Sequence, residues 1–381
     1  MVHGTSVPVP VPVPVPDSPP PPPTLSRPSG SGYAIGVVGA TGQVGQEFLR
    51  ILEAGDRPGL PIRTLRLFAS ERSAGQRRRV RGLEYQVELA RPDPGLFTGL
   101  DFVVTAVGDD LARAYGPAIA SAGALDVDKS NAWRMDPSVP LVVPEVNPDD
   151  ARDHHGIIAG PNCSTTQMVV ALWPLHQAAR ITRIIVDTYQ SVSGTGWRAV
   201  DELRTQVDDL VAGRDSAPVV YPHQIHHNLI PEIGGYKGDG LFSEELKMVQ
   251  ETRKIFHEPG LAVSATCVRV PVPVSHSEAV HVELARPMAA EEAREILRQA
   301  PGVVVLDDPE KSLYPTPMDV AGRDEVFVGR IRQDPSHPRG LALWVVGDNL
   351  RKGAALNAVQ VFELVARNGW HSGVAQMHAG G

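Results

Sequence analysis

The sequence predicts an α/β protein of two domains: a doubly wound parallel sheet on the N-terminal side and a mixed-sheet α+β unit after it. Three observations carry this. Residues 34–38 form a short apolar strand that runs into glycines 36, 39, 42 and 45, and Phe48, Leu49 and Leu52 follow at helical spacing. Strand-like and helix-like segments then alternate as far as about residue 160, which is the pattern of a parallel sheet covered by helices. After the helix that follows Cys163 the pattern changes: a strand at 262–274 is rich in β-branched residues, and further strands follow, separated by a helix at 291–299, as in a mixed domain.

Composition bounds the rest. The chain has 381 residues, 42% of them apolar and 21% charged, enough for two domains with substantial cores. Its net charge of −8 argues against a nucleic-acid partner, which would call for a basic face. The one basic run, Arg77 to Arg81, reads as a solvated loop. Two cysteines, Cys163 and Cys267, exclude a disulfide framework and point to a reduced compartment. Neither a membrane span nor a signal peptide is expected, so the expected location is cytoplasmic.

Residues 1–32 lie outside any predicted fold. Val-Pro alternation over 7–16 and unbroken proline over 19–23 favour polyproline II or disorder, with a passive tail or a module-binding segment as the two readings. The glycine turn after the first strand lets a pyrophosphate approach a helix N-terminus, which makes residues 33–160 a Rossmann-type dinucleotide-binding domain. Gly39, Thr41, Gly42, Gln43 and Val44 are its cofactor candidates. The next strand, 64–68, ends in Ala69-Ser70-Glu71-Arg72-Ser73. Glu71 would suit ribose hydroxyls and hence NAD, whereas Ser70, Arg72 and Ser73 suit a 2′-phosphate and hence NADP. Further strands are expected at 101–107 and 124–127 with a helix at 111–120 between them.

A catalytic domain is expected over 161–346. Its strands are placed at 184–190, 262–274, 280–284, 327–332 and 341–346, and its helices at 200–211, about 242–256 and 291–299. A last helix, 354–366, within a segment 347–368, completes the first domain. Residues 369–381 form a flexible tail.

The turn Gly160-Pro161-Asn162-Cys163-Ser164-Thr165-Thr166 carries the chemistry. Asn162 is a helix-capping residue, and Met168, Leu172, Leu175 and Ala179 repeat at helical spacing, so a helix starts just after Cys163. A thiol there meets free backbone N–H groups and the positive end of the helix dipole, which favour thiolate and a bound oxyanion. The stretch alone leaves a small buried cysteine equally open. His276 could act as its base, and Arg269 has the fork geometry for a carboxylate, against the alternatives of a surface histidine and a surface ion pair. Glu244 and Lys247 share one helix face, as a solvated pair or as a clamp for a zwitterion. Ser193 and Gly194 sit in a loop able to approach a cofactor. No metal site is expected; His223, His226 and His227 lack partner ligands.

Together these segments resemble the aspartate-β-semialdehyde dehydrogenases from about residue 34 to about 364. The resemblance rests on the order and spacing of motifs at 36–45, 160–165, 190–196, 244–254, 269–280 and 346–360. It implies an NADPH-dependent reduction of aspartyl 4-phosphate in which Cys163 forms a thioester and inorganic phosphate leaves. By the same resemblance His276 is the acid/base and Gln190 orients the acyl group. Arg269 holds the α-carboxylate and Glu244 the α-amino group; Arg134, Asn162 and Lys247 bind phosphate, and Asn349 lies near the nicotinamide. It also implies a homodimer and a role in making lysine through diaminopimelate, threonine, methionine and isoleucine. The departures are Asp109 and Asp110 near the path of the cofactor phosphates, Ser275 where glycine commonly precedes the histidine, and Gln76 for a frequent lysine. Rival readings are an N-acetylglutamyl-phosphate reductase, a non-catalytic NADP-binding sensor and a cysteine hydrolase.

Overall fold

The computed structural model describes residues 32–54 and 59–370. Nearly all of the predicted proline-rich tail, and the end of the C-terminal one, lie outside them. The first sheet contains β1 (Tyr33–Val38), β2 (Ile62–Ala69), β3 (Arg77–Val80), β4 (Leu83–Leu89), β5 (Phe102–Thr105), β6 (Leu125–Asp128) and β7 (Ile157–Ala159). Their order is β3-β4-β2-β1-β5-β6-β7, and every pairing except β3 with β4 is parallel. Helix α1 (Gln43–Glu53) packs on one face through Phe48, Leu49 and Leu52. The single turn α2 (Pro94–Phe97) and α3 (Asp109–Ser121) cover the other through Phe97, Tyr115 and Ile119. This is the doubly wound Rossmann-type architecture expected.

Helix α4 (Cys163–Ala179) leads into the second unit. There β8 (Ile181–Gln190) is followed by α5 (Trp197–Val211), the small hairpin β9 (Tyr236–Gly238) and β10 (Leu241–Phe242), and α6 (Ser243–Ile255). Next come β11 (Ala262–Arg269), β12 (His276–Leu284), α7 (Ala290–Arg298), β13 (Val303–Val305), the turn α8 (Pro317–Val320), β14 (Val326–Gln333) and β15 (Gly340–Gly347). The six-stranded sheet runs β11-β8-β12-β15-β14-β13 and is mixed: β11 with β8 and β13 with β14 are parallel, the rest antiparallel. One apolar cluster joins it to α4, α6 and α7 through Met168, Leu172, Val186, Met248, Val280 and Leu297. The final helix, α9 (Leu356–Asn368), returns to the first sheet, where the Phe362 ring stacks on Phe102 with centroids 4.8 Å apart.

Several elements differ from expectation for local reasons. The basic run is not a loop: residues 77–80 are the edge strand β3, held by Val80, which is buried against the α1 face. The strand expected over 262–274 stops at Arg269, because Pro271 and Pro273 offer no N–H to a ladder. The strand expected from 280 begins four residues earlier, at His276. A π-turn at Arg351–Ala355 precedes α9.

Candidate active site

Register in the second sheet assembles the site. Arg269, the last residue of β11, is paired directly with Gln190, the last of β8. On the other side of β8, Ser277 pairs with Tyr189, which sets His276, the first residue of β12, beside Gln190. Three adjacent strand ends thus present Arg269, Gln190 and His276 to one place, and all three side chains are buried.

Cys163 reaches that place from the first turn of α4. Asn162 is the N-cap: its Oδ1 accepts the N–H groups of Ser164 (2.9 Å) and Thr165 (3.2 Å). The helix therefore begins at Cys163 itself, and the Sγ lies 3.2 Å from His276 Nε2. The Ser191 N–H donates to His276 Nδ1 (3.0 Å), so the neutral ring carries its proton on Nε2, facing the sulfur. The charge state differs from the thiolate expected of a helix N-terminus. Burial pushes the thiol up to about 11, the Glu244 carboxylate adds to this, and Arg269, Arg134 and the Ser164 N–H only partly offset it. Burial, with Arg269 nearby, pushes the imidazole down to about 3. The resting pair is neutral.

Glu244 lies in the first turn of α6 and is buried, not solvated. Its Oε1 accepts from Asn162 Nδ2 (2.7 Å) and Gln190 Nε2 (3.1 Å), and its Oε2 from Lys247 Nζ (3.1 Å). Burial alone would raise this carboxyl, but Lys247, Gln190 and Asn162 outweigh it and hold the group at about 2. Arg269 donates Nη1 to the Ser191 carbonyl (2.6 Å) and leaves its buried Nε without a protein partner, as is Gln190 Oε1. A buried carboxylate, a buried guanidinium and these unused polar atoms around a Cys–His pair make a site for a small polar molecule.

Two family models match the chain: "Semialdehyde dehydrogenase, NAD binding domain" over residues 34–154 and "Semialdehyde dehydrogenase, dimerisation domain" over 172–352. A relative from Aquifex aeolicus named aspartate-semialdehyde dehydrogenase is 48% identical, covering 89% of this chain and 99% of its own. The relative of that name from Bacillus subtilis is 45% identical over 88% and 97%. The chain belongs to the aspartate-semialdehyde dehydrogenase family. Among solved structures, aspartate semialdehyde dehydrogenase II from Vibrio cholerae complexed with ASA superposes with a TM-score of 0.85 at 41% identity, covering 89% of this chain and 99% of that one. The enzyme of that name with NADP from Candida albicans gives 0.69 at 27% identity over 89% and 99%.

In this family member the remaining predicted residues fall into two groups. Arg134 is buried and donates to the carbonyls of Gly160 (Nε, 3.0 Å) and Lys129 (Nη2, 3.0 Å) and to Glu251 Oε1 (Nη1, 3.0 Å). It therefore braces the turn into Cys163, with part of its fork still unused. Gly194 lies over the dyad: a Cβ there would come within 2.9 Å of Arg269 Nη1 and 3.3 Å of His276 Nε2. Asn349 Oδ1 accepts from the Ser275 N–H (2.9 Å) and from Ser191 Oγ (3.1 Å), and its Nδ2 donates to Ser193 Oγ (3.0 Å), tying both loops that flank His276.

The second group forms a cradle that fits a dinucleotide. Gly39 is left-handed (φ 85°), and a Cβ there would collide with the Ala106 carbonyl at 2.3 Å. Gly42 caps α1 without a side-chain acceptor, so the first N–H groups at Gln43 and Val44 stay open to an anion. Thr41 Oγ1 bonds Ser73 Oγ (3.2 Å), joining this turn to the loop of Ser70 and Arg72 after β2. Asp109 is taken up by the Asn131 N–H (2.9 Å) at the start of α3, where its charge suits the helix dipole.

Among the described residues no cluster of three metal-ligating side chains exists, and no helix is long and apolar enough to cross a membrane. A polar cavity of about 360 Å³ opens beside Lys247, with Arg113, Asn131 and Lys237 in its wall, and does not extend to Cys163.

Sequence reasoning missed Glu251, Lys254 and Gly353. The charged face of α6 also carries Glu251, only 1% exposed, whose Oε2 accepts the Asn162 N–H (2.7 Å). Lys254 Nζ gathers the carbonyls of Arg134, Asp136 and Val139. Gly353, in the π-turn, abuts Cys163: a Cβ there would lie 2.8 Å from the cysteine Cβ. No sequence signal marks this last contact.

Proposed function

We propose that the protein catalyses the NADPH-dependent reductive dephosphorylation of L-aspartyl 4-phosphate to L-aspartate 4-semialdehyde. The reading covers the steps common to lysine (through diaminopimelate), threonine, methionine and isoleucine synthesis, in a cytoplasmic homodimer. The observation that carries it is the anionic, buried Glu244 placed with Arg269 around the Cys163–His276 pair: one holds an α-ammonium, the other an α-carboxylate. Domain limits follow the sequence reading, with cofactor binding over 33–160 plus 347–368 and catalysis over 161–346.

Cys163 Sγ attacks the acyl carbon as the C–O bond to phosphate breaks; the thiol proton leaves with the phosphate, and a thioester remains. The Cys163 N–H and the His276 Nε2–H stabilise the oxyanion. Gln190 orients the acyl group, and Arg134, Asn162 and Lys247 receive the departing phosphate. A bound nicotinamide would supply the hydride. His276 acts as the acid/base through Nε2–H, which shares its proton with the thiohemiacetal oxyanion left by hydride addition and keeps it as the C–S bond breaks, releasing the aldehyde and a thiolate that regains its proton from solvent. Gly39, Thr41, Gly42, Gln43 and Val44 would hold the pyrophosphate, Ser70, Arg72 and Ser73 would favour NADP, and Ser193, Gly194 and Asn349 would frame the nicotinamide side.

An N-acetylglutamyl-phosphate reductase would share the chemistry, but a buried anion at Glu244 has no charge to meet on an acetylated amine. Turnover of aspartate 4-semialdehyde against N-acetylglutamate 5-semialdehyde, for the native protein and Glu244→Gln, tests this. Preference for the free amine, lost in the variant, is expected; native preference for the acetylated substrate would reverse the reading.

A further inference from the structure

The basic run at 77–79, once seen as β3, acquires a place. Its ladder continues upward: the Gly75 N–H donates to the Val87 carbonyl and the Val87 N–H to the Gln76 carbonyl, both at 2.8 Å. Val87 in turn pairs with Leu67 of β2. The beginning of β3 thus lies beside the carboxyl end of β2, where the Ser70–Ser73 loop departs.

Strand alternation splits the three arginines. Arg77 and Arg79 share one face, and Arg77 is neutralised by Glu84 (2.9 Å). Arg78 is on the other face with Val80, the face covered by α1, whose N-terminus forms the pyrophosphate cradle. Its partners are neutral: Gln76 Oε1 (3.0 Å) and, marginally, the Arg77 carbonyl (3.5 Å). Gln76 Nε2 reaches on to the Arg72 carbonyl (3.4 Å), so one side chain bridges Arg78 to the loop after β2. Among the described residues neither Arg72 nor Arg78 has a carboxylate partner, and the exposed Glu71 pairs with neither. Two uncompensated guanidiniums and the hydroxyls of Ser70 and Ser73 are the donor set a phosphomonoester takes.

We propose that Arg78 is a second guanidinium for the ribose 2′-phosphate, so that the choice of NADP over NAD is set from β3 as well as from the loop after β2. This rests on the NADP reading above and adds to it a residue that its sequence signals omit.

The test is the ratio of KM for NADP to KM for NAD in the native protein, Arg78→Gln and Arg78→Lys, together with competitive inhibition by 2′,5′-ADP and by 5′-AMP. Loss of one charge-assisted contact predicts a rise in that ratio of about tenfold or more in Arg78→Gln, partial recovery in Arg78→Lys, and weaker inhibition by 2′,5′-ADP alone. An unchanged ratio, or equal weakening of both inhibitors, overturns the inference while leaving NADP preference intact. A native protein that does not distinguish the two cofactors removes the NADP reading and this inference with it.

Discussion

Cys163 Sγ and His276 Nε2 lie 3.2 Å apart in a pair whose resting state is neutral, because burial raises the thiol and lowers the imidazole. Thiolate is the reactive form. Alkylation of Cys163 by iodoacetamide should therefore quicken as pH rises toward about 11, with no limb from His276 between pH 5 and 8. Glu244 is one of the charges holding the thiol up, so Glu244→Gln should move the profile to lower pH. A native plateau near pH 6, or a shift to higher pH in the variant, would contradict this electrostatic picture. The same logic gives the substrate a part: an ammonium on Glu244 would offset the carboxylate's charge and ease thiolate formation.

Gly353 presses on Cys163, the proposed nucleophile, from the π-turn, with room for no Cβ. Gly353→Ala should displace Cys163 and lower kcat by about a hundredfold, since misplacement of a reacting group by about 1 Å costs that much, with little change in KM. Steady-state kinetics separate the two; a drop in KM-linked binding with kcat intact would refute a positioning role.

What was legible in the sequence was local. The glycine turn announces itself because Gly39 must be left-handed, and the capping of α4 because Asn162 sits one residue before the helix. The site beyond Cys163 depends on register between β11, β8 and β12, which no single segment encodes. Gln190 therefore gained its role through resemblance alone, and for His276 and Arg269 the residue types suggested a base and a carboxylate fork that surface alternatives left open until the resemblance was drawn. Glu251 and Lys254 were given no role because helical charge patterning does not reveal what docks on the charged face, here the segment around Arg134. The arginines of β3 looked like a loop because three successive charges hide the single buried Val80.

Ser275 explains one departure from the family pattern. It is fully buried at φ 75°, in the region that favours glycine, and its Oγ has no partner. The left-handed backbone costs about 1–2 kcal/mol, and glycine's greater freedom in the unfolded chain returns about half of that. Ser275→Gly should raise stability by about 0.5–1 kcal/mol in urea unfolding. A loss of stability would mean that the serine hydroxyl contributes a contact of its own.

The Arg134–Glu251 pair is buried on both sides and also holds the Asn162 N–H. Glu251→Ala strands a buried guanidinium and should cost about 3–5 kcal/mol of stability, read by denaturant titration. Glu251→Gln, which keeps an acceptor for Asn162, should cost less. Equal losses in the two variants would show that the hydrogen bond to Asn162 is immaterial.

The central claim is that Cys163 carries an acyl group which phosphate then cleaves. Its most direct measurement is NADP reduction by aspartate 4-semialdehyde, with and without inorganic phosphate, in the native protein and in Cys163→Ala. The account predicts turnover that requires phosphate and disappears in the variant. Phosphate-independent turnover, or activity surviving in Cys163→Ala, would contradict it.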